Sequence, residues 1–148
     1  MADLNFNPPM RNKVLVFFAN APPPVREMLS RALASGDYDG RWAANEREML
    51  ELAKDQHPDL LLLDFNRPLD RTLNSLEQLQ AVNTFIPVIL ITEQRTEFDR
   101  AVAGHVTALI RKPFEVSLLL RKMREILNSL PETAAVGKHA TPISRPND

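Results

Sequence analysis

Three side chains suited to work on a phosphoryl group follow three separate apolar segments of the sequence. Asp64 comes directly after four consecutive leucines, Thr92 ends a second apolar run, and Lys112 follows a third, weaker one. A carboxylate offers a nucleophile or a metal ligand. An ammonium and a hydroxyl group hold the oxygens of an anion. If the three segments are neighbouring strands, phosphoryl transfer to Asp64 fits these parts.

Two of these residues also have a purely structural interpretation. Asp is common where a strand ends and a turn begins, so Asp64 alone indicates no more than a capped turn. Lys112 can serve only to pair with Asp64 and so neutralise a partly buried carboxylate. Both interpretations stay open on the sequence.

The elements that must position these residues are predicted from the spacing of apolar side chains. The run Leu60–Leu63 is short, unbroken and preceded by Pro58, which is typical of a strand buried on both faces of a parallel sheet. Asn45 and Glu48 form a capping-box pattern that predicts a helix start. The predicted strands are 14–19, 40–43, 60–63, 88–92 and 106–110. The predicted helices are 25–33, one that begins after Asn45, and then 72–82, 97–103 and 115–130.

Alternating strands and helices predict a parallel sheet covered on both faces, with right-handed connections. The first, third and fourth strands are the most apolar, so we expect them at the centre of the sheet. This pattern favours an α/β flavodoxin-like (βα)5 three-layer sandwich with the strand order 2-1-3-4-5. Asp64, Thr92 and Lys112 would then share the carboxyl edge of the sheet, where ligands bind in open α/β folds.

The amino-acid composition limits the kinds of protein that this chain can be. The chain has 148 residues, of which 44% are hydrophobic and 25% charged, and its formal net charge is -1. These values predict one soluble domain and give no indication of a nucleic-acid or membrane partner. The absence of cysteine excludes thiol chemistry. We expect a cytoplasmic protein with a flexible leader at 1–12, a domain at 13–130 and a disordered tail at 131–148.

The motifs together resemble the signature of response-regulator receiver domains of two-component signalling, over about 13–130. The residues that carry the resemblance are Leu63-Asp64 with Asn66 and Pro68, Ile91-Thr92, and Lys112-Pro113-Phe114. The resemblance implies that Asp64 is the phosphoacceptor and that the backbone carbonyl of Asn66 binds Mg²⁺. It also implies that Thr92 is the switch hydroxyl, that Lys112 contacts phosphate, and that the bond before Pro113 is cis.

The main departure from the family concerns the two adjacent acidic residues that hold Mg²⁺ after the first strand. Alignment from the strand places Phe18-Ala19 there, and alignment from the following helix, which we prefer, places Asn20-Ala21 there. Neither pair is acidic, and no Asp or Glu occurs between Lys13 and Arg26. Since Mg²⁺ prefers carboxylate oxygens, we expect its binding to be weakened or lost, with Asp64 and Asn66 as doubtful ligands and Asn20 as a neutral substitute.

Two further departures affect the switch. Leu109 stands where the family usually has Tyr or Phe, and leucine cannot report the state of Thr92 through a ring or a hydroxyl. Arg71-Thr72 replaces the usual Asp-Gly turn after the phosphoacceptor.

These observations favour an atypical receiver that acts by protein–protein interaction, with weak or no Mg²⁺-dependent phosphorylation, and that is not an enzyme. The alternative is a functional phosphoryl-accepting switch at Asp64. A third possibility, a small α/β enzyme or nucleotide binder, is disfavoured because 20–24 contains three prolines, which lack the N–H donors of a phosphate cradle. The expected partners are a histidine kinase, a phosphotransfer protein or a separate output protein.

A homodimer is also expected through the fourth helix, fifth strand and fifth helix, the surface by which receivers commonly pair. Leu118 lies outside the main apolar stripe of the fifth helix. Four apolar residues between 116 and 120 exceed what one buried face requires, which predicts a second contact surface there.

Overall fold

The computed structural model describes residues 11–83, 85–93 and 96–129. The strands are β1 (Lys13–Phe18), β2 (Asp39–Trp42), β3 (Leu60–Asp64), β4 (Val88–Thr92) and β5 (Ala108–Arg111). The helices are α1 (Pro23–Ser35), α2 (Glu46–Asp55), α3 (Leu69–Val82), α4 (Thr96–Val102), which continues into a 3-10 turn at Ala103–His105, and α5 (Val116–Ser129). All strand pairs are parallel and the order is β2-β1-β3-β4-β5, which confirms the predicted topology.

The alternating side chains of the central strands divide the core between the two faces of the sheet. On one face Val16 of β1 packs in a cluster with Leu29 of α1 and Met123 of α5. On the other face Leu15 belongs to a cluster with Leu76 of α3. The four leucines of β3 alternate in the same way, so β3 is buried on both sides, as its unbroken apolar run predicts.

Local sequence signals set most helix ends. Asn45 Oδ1 accepts the N–H of Glu48 at 2.8 Å, so the predicted cap of α2 is confirmed. The Glu48 carboxylate accepts the N–H of Ala44 at 2.5 Å, one residue further back than in the usual capping box. α1 starts with Pro23 in its first turn and ends before Gly36.

The start of α3 differs from the prediction. The helix begins at Leu69 rather than Thr72, because Pro68 stops the preceding extended chain and its carbonyl accepts the N–H of Thr72 at 3.0 Å. Thr72 and Ser75 are buried in the stripe that faces the sheet. Val82 is 37% exposed because it is the last residue of the helix, where the chain leaves the sheet.

Other boundaries differ less. β5 begins two residues later than predicted, and α4 begins one residue earlier and ends in the 3-10 turn. The predicted leader and tail lie outside the described residues, apart from Arg11 and Asn12. The Asn12 carbonyl accepts the N–H of Asp39 at 2.9 Å, and Arg11 Nε lies 3.3 Å from Asp37, so both residues are attached near β2. None of the helices within the described ranges is both long and apolar enough to cross a bilayer.

Candidate functional site at the carboxyl edge of the sheet

Asp64, Thr92 and Lys112 lie together at the carboxyl edge of the sheet. Asp64 ends β3, Thr92 ends the adjacent β4, and Lys112 directly follows β5. The N–H of Lys112 donates to the Thr92 carbonyl at 2.9 Å, which fixes the start of the loop after β5. The Lys112 ammonium then reaches Asp64, with 2.6 Å between Nζ and Oδ2. Buried Thr92 lines a small cavity together with both charged groups.

The Asp64 carboxylate is almost removed from solvent, with a side chain that is 10% exposed. Its Oδ1 atom is buried and accepts no hydrogen bond from any residue that the structure describes. Burial raises the pKa of Asp64 above its ordinary value of 3.8, the ion pair with Lys112 opposes this rise, and the charge of Glu93 adds to it. A desolvated carboxylate with one unpaired oxygen is a candidate nucleophile or ligand.

Glu93 is a member of the site that the sequence patterns did not single out. Its carboxylate lies 3.7 Å from the Lys112 ammonium, so Lys112 is shared between Glu93 and Asp64. The Glu93 side chain is 65% exposed and stands at the entrance of the site. Its position directly after Thr92, at the same sheet edge, is the signal that would have found it. A negative charge at this entrance opposes the approach of an anion.

The end of β1 lies beside Asp64, as both sequence alignments require. Phe18 is in register with Asp64, and the N–H of Ala19 donates to the Asp64 carbonyl at 2.9 Å. Phe18, Asn20 and Ala21 all line the space in front of the carboxylate. The residues named by both alignments, Phe18-Ala19 and Asn20-Ala21, are uncharged.

The structure places both candidate amide ligands near Asp64 but gathers few charged oxygens. Asn66 adopts a left-handed backbone with φ of 51°, a conformation that Asn tolerates better than most residues, and it shares the cleft with Asn20. Within the described residues no group of three or more His, Cys, Asp or Glu is arranged to hold a metal ion. Because Asn20 and Asn66 are neutral and Asp64 is the one carboxylate among these candidate ligands, this donor set fits Mg²⁺ poorly.

A cleft of about 530 Å³ opens in front of Asp64. We call it the apolar cleft, because Pro22, Val25 and Met28 line it on the α1 side and Pro113 and Phe114 line it on the other side. The charged groups of the site lie at its polar end. This apolar wall was not predicted, since its residues come from two segments that are remote in sequence.

A second unpredicted feature is a polar cluster behind the Asp64 loop, formed by Arg67, Glu46 and Ser75, which we call the Arg67 cluster. Arg67 lies 2.8 Å from a Glu46 oxygen, and Ser75 bonds to both partners. The guanidinium also stacks over the Phe65 ring, 4.5 Å from its centroid. The Arg67 hydrogen bond is the largest of the influences that lower the pKa of Glu46. The cluster joins the loop after β3 to α2 and α3.

The loop after β5 and the position of the usual aromatic switch follow the sequence analysis. The Lys112-Pro113 bond is cis, as the resemblance implies. Leu109 is half-buried and packs against the apolar cluster that includes Val102 of α4. The side chain at this position of β5 is thus aliphatic and packed against its neighbours.

Leu118, the proposed dimer contact, is half-buried in α5. The large apolar side chains that are clearly exposed within the described ranges are Met28, Val82 and Phe85. Leu118 therefore presents less free surface than the sequence pattern indicates, and its role in self-association stays a prediction.

The strand order and the carboxylate, hydroxyl and ammonium at one edge define a flavodoxin-like α/β domain with a candidate phosphoryl site. A family model described as "Response regulator receiver domain" matches residues 16–124. The chain therefore belongs to the response-regulator receiver family of two-component systems.

Curated relatives agree with this membership. The chain is 29% identical over 118 residues to "Response regulator MprA" of Mycolicibacterium vanbaalenii. The aligned region covers 78% of this chain and 51% of that protein. It thus spans about half the length of this relative.

Solved structures share the fold. A CheY-like receiver domain protein from Methanospirillum hungatei matches with a TM-score of 0.69 at 20% identity, covering 80% of this chain and 95% of the other. The receiver domain of a sensor histidine kinase from Pseudomonas aeruginosa matches with a TM-score of 0.69 at 20% identity, and the match covers 81% of this chain and 100% of the other. The latter structure holds a magnesium ion coordinated in its active-site cleft.

Proposed function

We propose that this chain is an atypical receiver of two-component signal transduction that works through protein–protein contact, with weak or no Mg²⁺-dependent phosphorylation of Asp64. The observation that carries this proposal is the β1–α1 side of the site, where Phe18, Asn20 and Ala21 face the cleft and none is acidic. Mg²⁺ binding needs several hard, charged oxygens. Among the proposed ligands Asp64 offers the one carboxylate, and Asn20 and Asn66 are neutral.

The charge pattern supports the same proposal. Glu93 competes with Asp64 for the Lys112 ammonium and adds negative charge where a phosphoryl group would enter. The proposed partners are a histidine kinase, a phosphotransfer protein or an output protein. In this proposal the chain transmits a binding event and catalyses no reaction of its own.

One observation favours the alternative of a working phosphoryl switch at Asp64. Its ion pair with Lys112, at 2.6 Å, and the buried Thr92 beside it are the groups that such chemistry uses. An Asp64 oxygen would attack the phosphorus of acetyl phosphate, the bond to acetate would break, and Lys112 with Thr92 would hold the phosphoryl oxygens. The same experiment separates the two functions.

The test compares the wild type with the double variant Asn20→Asp/Ala21→Asp, which restores two carboxylates beside Asp64. We expect the double variant to bind Mg²⁺ more tightly by on the order of tenfold, because it gains two hard anionic ligands. We also expect it to take up phosphate from labelled acetyl phosphate faster than the wild type. Mg²⁺ titration by calorimetry and intact-mass measurement of phosphate uptake give the two readouts.

Matched controls make the outcome decisive. Asn74→Asp/Ala81→Asp adds the same two charges to exposed positions of α3 and should leave Mg²⁺ affinity unchanged. Asp64→Asn should abolish any labelling. If wild-type Asp64 is labelled in a Mg²⁺-dependent manner as fast as in the double variant, the proposal is wrong and the phosphoryl switch is favoured.

A further inference from the structure

We propose that the apolar cleft binds a small organic amine, that is, a molecule with one ammonium group on a compact apolar body. This inference goes beyond the proposed function and does not rest on it. It concerns the space in front of Asp64, which has the size and lining of a ligand pocket rather than of a bare metal site.

The size and walls of the cleft are those of a small-molecule site. Its volume of about 530 Å³ lies within the range of roughly 300–1,000 Å³ that is usual for ligand pockets. Val25 and Met28 of α1 and Phe114 of the loop after β5 line it, together with Phe18 and two prolines. Such pockets combine an apolar wall with a few convergent polar groups, as this cleft does.

Met28 shows that the wall is incompletely covered by the chain itself. Its side chain is 46% exposed, which places it among the few large apolar residues in the described ranges that remain in water. An apolar body in the cleft would remove part of this surface from water, which is favourable.

The charges at the polar end determine the class of ligand. The Asp64 and Glu93 carboxylates line the cleft with a single ammonium, that of Lys112, so its charged groups sum to one negative charge. Asn20 and Asn66 add neutral amide groups. A ligand cation complements this balance, whereas an anion would meet two carboxylates for each ammonium.

Asp64 lies at the boundary of the cleft, and 7% of the residue is exposed. Its Oδ1 atom has no donor among the described residues, but the atom itself is buried. A ligand ammonium in the cleft would therefore interact with the Asp64 and Glu93 carboxylates through their charges, without a hydrogen bond to Oδ1.

The test uses benzylammonium, benzyl alcohol and phenylacetate as probes of the isotope-labelled full-length chain. The three molecules share an aromatic body and differ in charge. We expect benzylammonium to bind about tenfold more tightly than benzyl alcohol, with phenylacetate the weakest, because only the cation is complementary to the cleft. NMR titration should show saturable shifts of the Val25 and Met28 methyl groups.

Two variants link the preference to the cleft. Glu93→Gln removes one carboxylate and should weaken benzylammonium binding several-fold while leaving benzyl alcohol unchanged. Glu97→Gln, an exposed carboxylate outside the cleft lining, serves as the matched control and should change neither. The inference is overturned if benzyl alcohol or phenylacetate binds as well as benzylammonium, if the shifts lie elsewhere, or if no saturable shift occurs at millimolar concentration.

Discussion

Asp64 is held by opposing influences that act on one carboxylate. Burial and the neighbouring Glu93 charge disfavour its ionised form, while Lys112 at 2.6 Å favours it. Burial is the largest of the three, so the pKa of Asp64 is raised. The raised pKa predicts that the free energy of unfolding depends on pH, and the substitution Asp64→Asn tests this dependence.

Asp64→Asn should change the pH dependence of stability. Because folding raises the pKa of Asp64 above 3.8, the folded protein holds this proton more tightly than the unfolded chain does. The resulting stabilisation is present below pH 3.8 and is lost as the pH rises through the raised folded-state pKa. The free energy of unfolding of the wild type, relative to that of Asp64→Asn, should therefore fall as the pH rises from 3.8 through the folded-state pKa.

Urea denaturation at closely spaced pH values measures this difference. Fluorescence of Trp42, the single tryptophan of the chain, follows unfolding in both proteins. A difference that grows as the pH rises through this interval would mean that the pKa of Asp64 is lowered by folding, contrary to the expectation.

At the scale of the elements, the Arg67 cluster is the connection that holds the loop after β3 against α2 and α3. The Arg67 and Glu46 side chains are 15% and 30% exposed, so water screens their attraction less than in a surface pair. Removal of one partner leaves a largely buried charge without its counterion. The cluster should therefore contribute measurably to the stability of the site loop.

A double-mutant cycle on Arg67→Met and Glu46→Gln tests this contribution. We expect a coupling energy of about 1–2 kcal/mol. Each single variant leaves the remaining side chain of the pair without its partner, whereas the double variant removes both polar groups. The measurement is urea unfolding of the wild type, the two single variants and the double variant at neutral pH.

The exposed pair Arg31 and Glu27 provides the matched control cycle. Its side chains are 78% and 63% exposed and lie one turn apart on α1. We expect its coupling to be about 0.3–0.5 kcal/mol. A coupling for Arg67 and Glu46 no larger than this would contradict a structural role for the cluster.

At the scale of the whole molecule, the surface of α4, β5 and α5 is the predicted site of self-association. Leu118 of α5 is half-buried, so it contributes part of its side chain to the surface and part to packing. The stability of any pair of chains would then depend on apolar contact that surrounds this residue rather than on Leu118 alone.

Leu118→Glu should weaken a homodimer by about tenfold in dissociation constant, because it introduces a charge into an apolar contact. Sedimentation velocity at several concentrations measures the association, and circular dichroism checks that the variant is folded. Val82→Glu makes the same type of change at an exposed position of α3 and should leave association unchanged. A wild type that stays monomeric throughout would remove the prediction.

The sequence by itself determined the order of elements, the sheet topology and the placement of Asp64, Thr92 and Lys112 at the carboxyl edge of the sheet. Apolar runs such as Leu60–Leu63 and caps such as Asn45 are local signals of strands and of helix starts. Once the end of a strand is located, the residue at that end is placed at the carboxyl edge of the sheet. The absence of Asp and Glu between Lys13 and Arg26 was also evident, since it depends on residue type alone. These features need no knowledge of contacts between distant segments.

Tertiary structure alone decided how these residues meet. The sharing of Lys112 between Asp64 and Glu93, and the link from Arg67 to Glu46, join segments that are far apart in sequence. The apolar cleft likewise combines α1 with the loop after β5. Such contacts depend on distances and burial that arise only when the helices pack on the sheet, so spacing along the chain could not reveal them.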